Sequence, residues 1–178
     1  GLEPVPIRFV AYFTDGGGGR EIAIAGVSEV ADVALLRLKV PVPGLAGLKL
    51  AERVPRPGDD VILIGYPAGI RSMVAHAGAK FIEQLKQDDV SDFWRIAARL
   101  SEERRILPLA SRGIVARVSP ESIVYDAETT YGGSGGPVLN TKGAVVAVNS
   151  AIIPEYGGAN FGAPAAELSR LLEEAKSN

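Results

Sequence analysis

The chain of 178 residues contains no cysteine. That excludes thiol catalysis, disulfides and zinc–thiolate sites, and it makes the protein indifferent to the redox state of its compartment. Histidine is almost as scarce. His76 is the single one, so chemistry that needs an imidazole has one candidate within the chain. No block of lysine or arginine occurs, and 19 basic residues against 21 acidic ones leave a net charge of -2. A nucleic-acid partner needs a basic face for its phosphates and is disfavoured. No apolar run approaches the ~20 residues of a membrane-spanning helix. The N-terminal Gly-Leu-Glu-Pro is not a signal peptide and reads as a cut end. No metal site and no cofactor are expected.

What is present suits a packed core. The chain is 47% hydrophobic and 22% charged, enough for one sizeable domain or two small fused barrels. The first seventy residues are strand-like. Ile7 to Phe13 and Glu21 to Val27 are β-forming runs separated by Asp15-Gly16-Gly17-Gly18-Gly19, a hairpin with a glycine turn. Asp32 opens a third strand, Val33 to Leu38. Val61 to Ile64 is an apolar strand stopped by Gly65-Tyr66-Pro67-Ala68-Gly69.

From about Met73 to Arg105 glycine and proline become scarce and the apolar spacing turns helical. Phe81, Ile82 and Leu85 share one face; Phe93, Ile96, Ala97 and Leu100 share another. Asp89, with Asp92 after it, is the expected N-cap. Strands return at Gly113 to Val118, Ser122 to Tyr125, Val138 to Leu139 and Ala144 to Val148. A last helix is expected from Pro164, a good first helical residue.

The chemistry-bearing segment is Gly132-Gly133-Ser134-Gly135-Gly136-Pro137. A serine hydroxyl is a poor nucleophile unless a base takes its proton and donors stabilise the oxyanion. Glycines permit the tight turn that aims backbone N–H groups at one point and let a carbonyl come close. The same run is also compatible with a simple flexible turn. It matches the Gly-x-Ser-x-Gly nucleophile elbow, which requires an acid and then a histidine after the serine. Neither His nor Asp follows Ser134, and Pro137-Val138-Leu139 reads as a strand, so that fold is set aside. A phosphate-binding loop fails for want of a following Gly-Lys-Ser/Thr.

An acid before the serine on a β-rich scaffold remains. Asp32-Val33-Ala34-Leu35-Leu36-Arg37-Leu38 resembles the segment bearing the catalytic aspartate in the HtrA (Deg) branch of trypsin-like serine proteases. Pro57-Gly58-Asp59 with Val61 to Pro67 resembles the strand and turn that follow it. Gly113-Ile114-Val115 is similar to the start of the second barrel. Asp126 stands eight residues before Ser134, as an aspartate does in that family. Gly143 to Ile152 resembles the strand beside the specificity pocket, and Asn160-Phe161-Gly162-Ala163-Pro164 resembles the last strand and its exit. The resemblance covers roughly residues 5–70 and 112–175 in collinear order.

It implies a mainly β, trypsin-like double β-barrel whose first barrel is truncated at the N-terminus. Residues 1–71 would form that partial barrel, 72–111 a helical insertion, 112–163 the second barrel and 164–178 the C-terminal helix. It implies a serine endopeptidase: Ser134 as nucleophile, Asp32 orienting a histidine, and the N–H groups of Gly132 and Ser134 as oxyanion hole. Thr129, Thr130 and Tyr131 on one side, and Asn149, Ser150 and Ala151 on the other, would wall the substrate pocket. The family's histidine precedes the aspartate by one hairpin, which places it upstream of Gly1. His76 follows Asp32 and precedes Ser134, the subtilisin order, but on a β-rich scaffold it reads as a surface or lid residue. The expected partner is a protein or peptide substrate. Exposed strand edges or the insertion could pair chains into a homo-oligomer, and the resemblance favours an extracytoplasmic location. Two other functions stay open: a catalytically inactive peptide-binding module on the same fold, and an esterase using the same triad.

Overall fold

The computed structural model describes residues 9–152 and 159–177. The expected first strand starts at Ile7, outside the described residues; its remainder is β1 (Val10–Tyr12), joined to β2 (Gly19–Val27) in antiparallel register from Val10↔Glu21 to Tyr12↔Gly19. Asp15 makes the turn. Its Oδ1 accepts the Gly17 N–H at 3.0 Å and an Arg20 Nη1–H at 3.2 Å, an Asx-type turn of the kind aspartate favours. β2 pairs antiparallel with β3 (Ala34–Leu38), with a bulge in β2 between Ile24 and Gly26. These strands form one sheet in the order β1-β2-β3.

β4 (Asp60–Gly65) does not join that sheet. It pairs with β5 (Leu109–Val118) and β7 (Pro137–Asn140). With β6 (Ile123–Tyr125), β8 (Val145–Ile152) and β9 (Asn160–Pro164) it closes a barrel in the order β4-β5-β6-β9-β8-β7. The expected division at residue 71 is therefore corrected: the barrel that carries Ser134 begins at β4, before Val61. The reason is the alternation within the strand. Val61 and Leu63 turn into a core shared with Val115, Ile123, Tyr125, Val138 and Val146, while Ile62 faces out. That core is built by the strands of the closed barrel, β5 and β7 beside β4 and β6 and β8 beyond them. Each such buried side chain contributes roughly 1.5–3 kcal/mol.

The insertion lies between β4 and β5 as α1 (Gly69–His76), α2 (Ala79–Gln87) and α3 (Phe93–Glu102). Phe81, Leu85 and Leu100 meet Val90 and Ile106 in a second small core, with Tyr12 and Tyr66 packed against it. The helical spacing of Phe81/Leu85 and of Ala97/Leu100 is thus realised, whereas Phe93 remains exposed. The N-cap of α3 is Asp92, whose side chain accepts the N–H groups of Trp94 and Arg95, each at 3.0 Å. Asp89, the expected cap, instead turns the chain with φ at +50°. The last helix, α4 (Ala165–Ser177), begins one residue later than expected, because Pro164 still belongs to β9, where it lies opposite Ala147.

Candidate active site

Ser134 sits in the loop between β6 and β7, and the backbone there is closely supported. The Gly135 N–H donates to the Asn149 carbonyl at 2.7 Å, and the Asn149 N–H donates to the Gly136 carbonyl at 2.9 Å. β8 is thereby zipped to the loop on both sides of Asn149. Gly132 has φ of +90°, and a Cβ there would come within 2.9 Å of Gly69 N and 3.1 Å of the Tyr66 carbonyl. The turn after β4 is therefore the loop's other support. Its Ala68 N–H donates to the Tyr131 carbonyl at 2.6 Å, with Ala68 itself in the left-handed region at φ 58°. The sequence marks that stretch, Gly65 to Gly69, as a strand stop and by resemblance as a turn, but not as a support of the serine loop.

Within the run 132–136 the N–H groups of Gly133, Gly135 and Gly136 are spent on Thr130, Asn149 and Gly133 carbonyls. Those of Gly132 and Ser134 donate to no group of the described residues. They are the pair expected to bind an oxyanion. The Ser134 hydroxyl is exposed and donates to the Ser150 carbonyl at 3.0 Å.

Asp32 lies in the connection from β2 to β3, exposed, and shares a cavity of about 610 Å³ with Ser134, Gly135, Asn149 and Ser150. The acid comes from the first sheet and the serine from the closed barrel, so the cavity spans the seam between them. Leu168, Leu171 and Leu172 of α4 complete its wall.

The expected pocket walls divide. Ser150 and Asn149 line the cavity of Ser134, but Asn149 is only 1% exposed, and its Oδ1 accepts the Tyr125 hydroxyl at 2.5 Å. It supports the loop from below. Thr129 and Thr130 line a separate cavity of about 350 Å³, with Leu63, Leu109 and Glu128. Thr129 Oγ1 underlies the serine loop, where a Cβ on Gly133 would come within 2.3 Å of it. Tyr131 is 75% exposed, and Ala151 is exposed on β8 opposite Phe161. The two expected stretches meet around Gly133, where a Cβ would come within 2.3 Å of Thr129 Oγ1 and 3.5 Å of Asn149 Nδ2, while the two cavities they line are separate.

Asp126 is not part of the site. Its Oδ1 accepts the Ile114 N–H at 2.6 Å, tying β6 to β5. His76 is exposed in the last turn of α1 and does not line the cavity of Ser134 and Asp32. Among the described residues no group of three or more His, Cys, Asp or Glu could hold a metal ion, and no helix is long and apolar enough to cross a membrane.

The family model of a trypsin-like peptidase domain matches residues 2–148. The chain belongs to the trypsin-like peptidase family. Among the relatives of this chain are a putative protease Do-like 14 of Arabidopsis thaliana, 28% identical over 149 residues and matching 83% of this chain, and the serine protease HTRA3 of Homo sapiens, 26% identical over 159 residues and matching 89%. In both cases the match spans 29% of the relative's length. The fold is similar to that of the serine endoprotease from Yersinia pestis, with a TM-score of 0.64 at 19% identity, covering 95% of this chain and 48% of that one. It is also similar to the inactive form of Rv3671c from M. tuberculosis H37Rv, with a TM-score of 0.58 at 17% identity, covering 92% and 68%. The branch read from the motifs, the HtrA-like one, is the branch of these named relatives.

Proposed function

We propose that this chain carries the nucleophile and the acid of a serine endopeptidase. One observation supports it above the rest: Asp32 and Ser134, brought from separate sheets, open onto one cavity, and the N–H groups of Gly132 and Ser134 donate to no group of the described residues. Ser134 Oγ would attack the carbonyl carbon of a peptide bond and pass its proton to a histidine upstream of this chain, which Asp32 orients. The Gly132 and Ser134 N–H groups would hold the oxyanion, and the amine would leave with that proton. Water then releases the acyl group from Ser134 by the same steps.

The test is labelling of Ser134 by a fluorophosphonate in the protein expressed from its complete gene. Wild type should be labelled, Ser134→Ala should not, and Asp32→Asn should slow labelling by about 10⁴-fold, the effect of losing the orienting acid. An unlabelled wild type rejects the reading.

A second reading, a peptide-binding module without catalysis, is favoured by the position of His76. It is the one imidazole of the chain, and it stands outside the cavity of Ser134. Peptide binding by a protein that no fluorophosphonate labels would establish it.

A further inference from the structure

Asp32 and Ser134 belong to different sheets, so their separation is set by whatever joins those sheets. The element that does so beside the cavity is α4, whose Leu168 and Leu171 line it. Leu171 also packs against β2, where a Cβ on Gly26 would sit 3.7 Å from Leu171 Cδ2. One polar link runs from this helix to the turn that carries Asp32. Glu167, in the first turn of α4 and only 8% exposed, accepts a hydrogen bond from the Ser28 hydroxyl.

Ser28 is the hub of that turn. Its Oγ accepts the Val30 N–H at 3.1 Å and the Ala31 N–H at 3.0 Å, so its one donor and two acceptor sites are all in use. The Ser28 N–H closes the turn onto the Val33 carbonyl at 3.0 Å, and the Val33 N–H donates to the Ala31 carbonyl at 2.8 Å. Asp32 sits inside this closed loop.

Glu167 is itself held in place. Arg170, one turn along α4, donates from Nε to its Oε2 at 3.0 Å and from Nη2 to its Oε1 at 2.6 Å. Arg170 also reaches Glu174. The Glu167 carboxylate therefore has a fixed orientation, and its first-turn position suits the positive end of the helix dipole.

We propose that Glu167 is a positioning residue: through Ser28 it fixes the 28–33 turn against the closed barrel and so sets where Asp32 stands relative to Ser134. This rests on the peptidase reading above. It adds a residue that touches neither substrate nor the reacting atoms and acts through the acid. Misplacing a reacting group by about 1 Å can cost on the order of 10²-fold in rate, so a turn freed from α4 should register clearly.

The experiment measures the rate of fluorophosphonate labelling of Ser134 in the protein from its complete gene, well below the unfolding temperature of each variant. Glu167→Ala should slow labelling by about tenfold or more. Glu167→Gln, whose amide oxygen can still accept from Ser28, should recover most of that loss. In an Asp32→Asn background Glu167→Ala should change the rate no further, because residues acting through one group are not additive. If Glu167→Ala does not fold, Ser28→Ala breaks the same link from the other side and must show the same loss and the same dependence on Asp32. A wild-type labelling rate in Glu167→Ala overturns the inference, and so does an undiminished effect in the Asp32→Asn background. If wild type is not labelled, or Asp32→Asn labels as fast as wild type, the peptidase reading itself fails and this inference with it. Labelling that depends on Asp32 but not on Glu167 or Ser28 rejects the positioning role alone.

Discussion

At the scale of residues, the serine loop depends on groups buried behind it. Gly136 is one. A Cβ there would stand 2.4 Å from the Ile64 carbonyl and 3.0 Å from the Gly133 carbonyl, both backbone atoms that cannot move aside cheaply. Gly136→Ala should therefore distort the serine loop and abolish fluorophosphonate labelling. Gly135→Ala meets nothing within 4 Å and bears only the strain of φ at +87°, about 1–2 kcal/mol. If Gly136→Ala is labelled at least as fast as Gly135→Ala, the packing argument is wrong. Tyr125 is another. Burial pushes its phenol up, so it remains a donor to Asn149 across the neutral range. Tyr125→Phe leaves the buried Asn149 Oδ1 without that donor, which costs about 1–3 kcal/mol; denaturant unfolding measures it. Glu167 gives a pH signature. Arg170 first, and then the Ser28 hydroxyl, hold its carboxyl down from 4.5 to about 2. A lowered folded pKa means stability that is complete above the ordinary value and is lost as pH falls towards the folded one. The stability gap between wild type and Glu167→Gln should close from pH 4.5 to about 2, which thermal unfolding across that range would follow. A gap that is constant with pH would contradict the assignment.

At the scale of elements, the helical insertion separates two aspartates that look alike in sequence. Asp92 accepts two N–H groups at the start of α3, so Asp92→Ala should cost about 0.5–2 kcal/mol. Asp89 carries a φ of +50°, so Asp89→Gly should be neutral or stabilising by up to about 1 kcal/mol. A larger loss at position 89 than at 92 in chemical denaturation would reverse the assignment. The pair also marks what a sequence can convey. Apolar spacing revealed α2 and α3 through Phe81, Leu85 and Leu100, because burial of one face follows the helical period. It could not say which aspartate caps, since both precede the same apolar stripe. The strand Val61 to Ile64 was equally plain, but its barrel was not. Alternation tells which side of a strand is buried and leaves its neighbours open; those are β5 and β7 here. Motif and order singled out Ser134 and Asp32, which line one cavity in the structure. The role of Glu167 was not legible, because a glutamate with an arginine three residues on reads as a helix-surface ion pair, and its partner Ser28 lies 139 residues away. The support that Asn149 gives the serine loop was hidden for a related reason. The resemblance of residues 143–152 to a pocket strand marked Asn149 as a wall, and the loop's hydrogen bonds to its backbone show that it also supports the loop.

At the scale of the whole molecule, the two β units differ in how they treat their edges. The six-stranded barrel closes on itself and leaves no strand unpaired. In the first sheet, among the described residues, β1 and β3 each pair only with β2. Ile24, Val27 and Leu36 on β2 and β3, with Val30 in the turn, are exposed large apolar side chains. An open strand edge beside an apolar face is a template for another chain. We therefore predict that the 178-residue chain, produced by itself, self-associates through this sheet. Sedimentation velocity should show a concentration-dependent rise in mass. A charge on β3 should suppress it, as charged residues on natural edges do, so Leu36→Lys should move the chain towards monomer. Arg112→Glu, on exposed β5 of the closed barrel, should leave the association unchanged. The contrast between the two substitutions distinguishes pairing at the open sheet from general stickiness. A monomer at every concentration, or equal responses to Leu36→Lys and Arg112→Glu, would show that the first sheet is not the surface that associates.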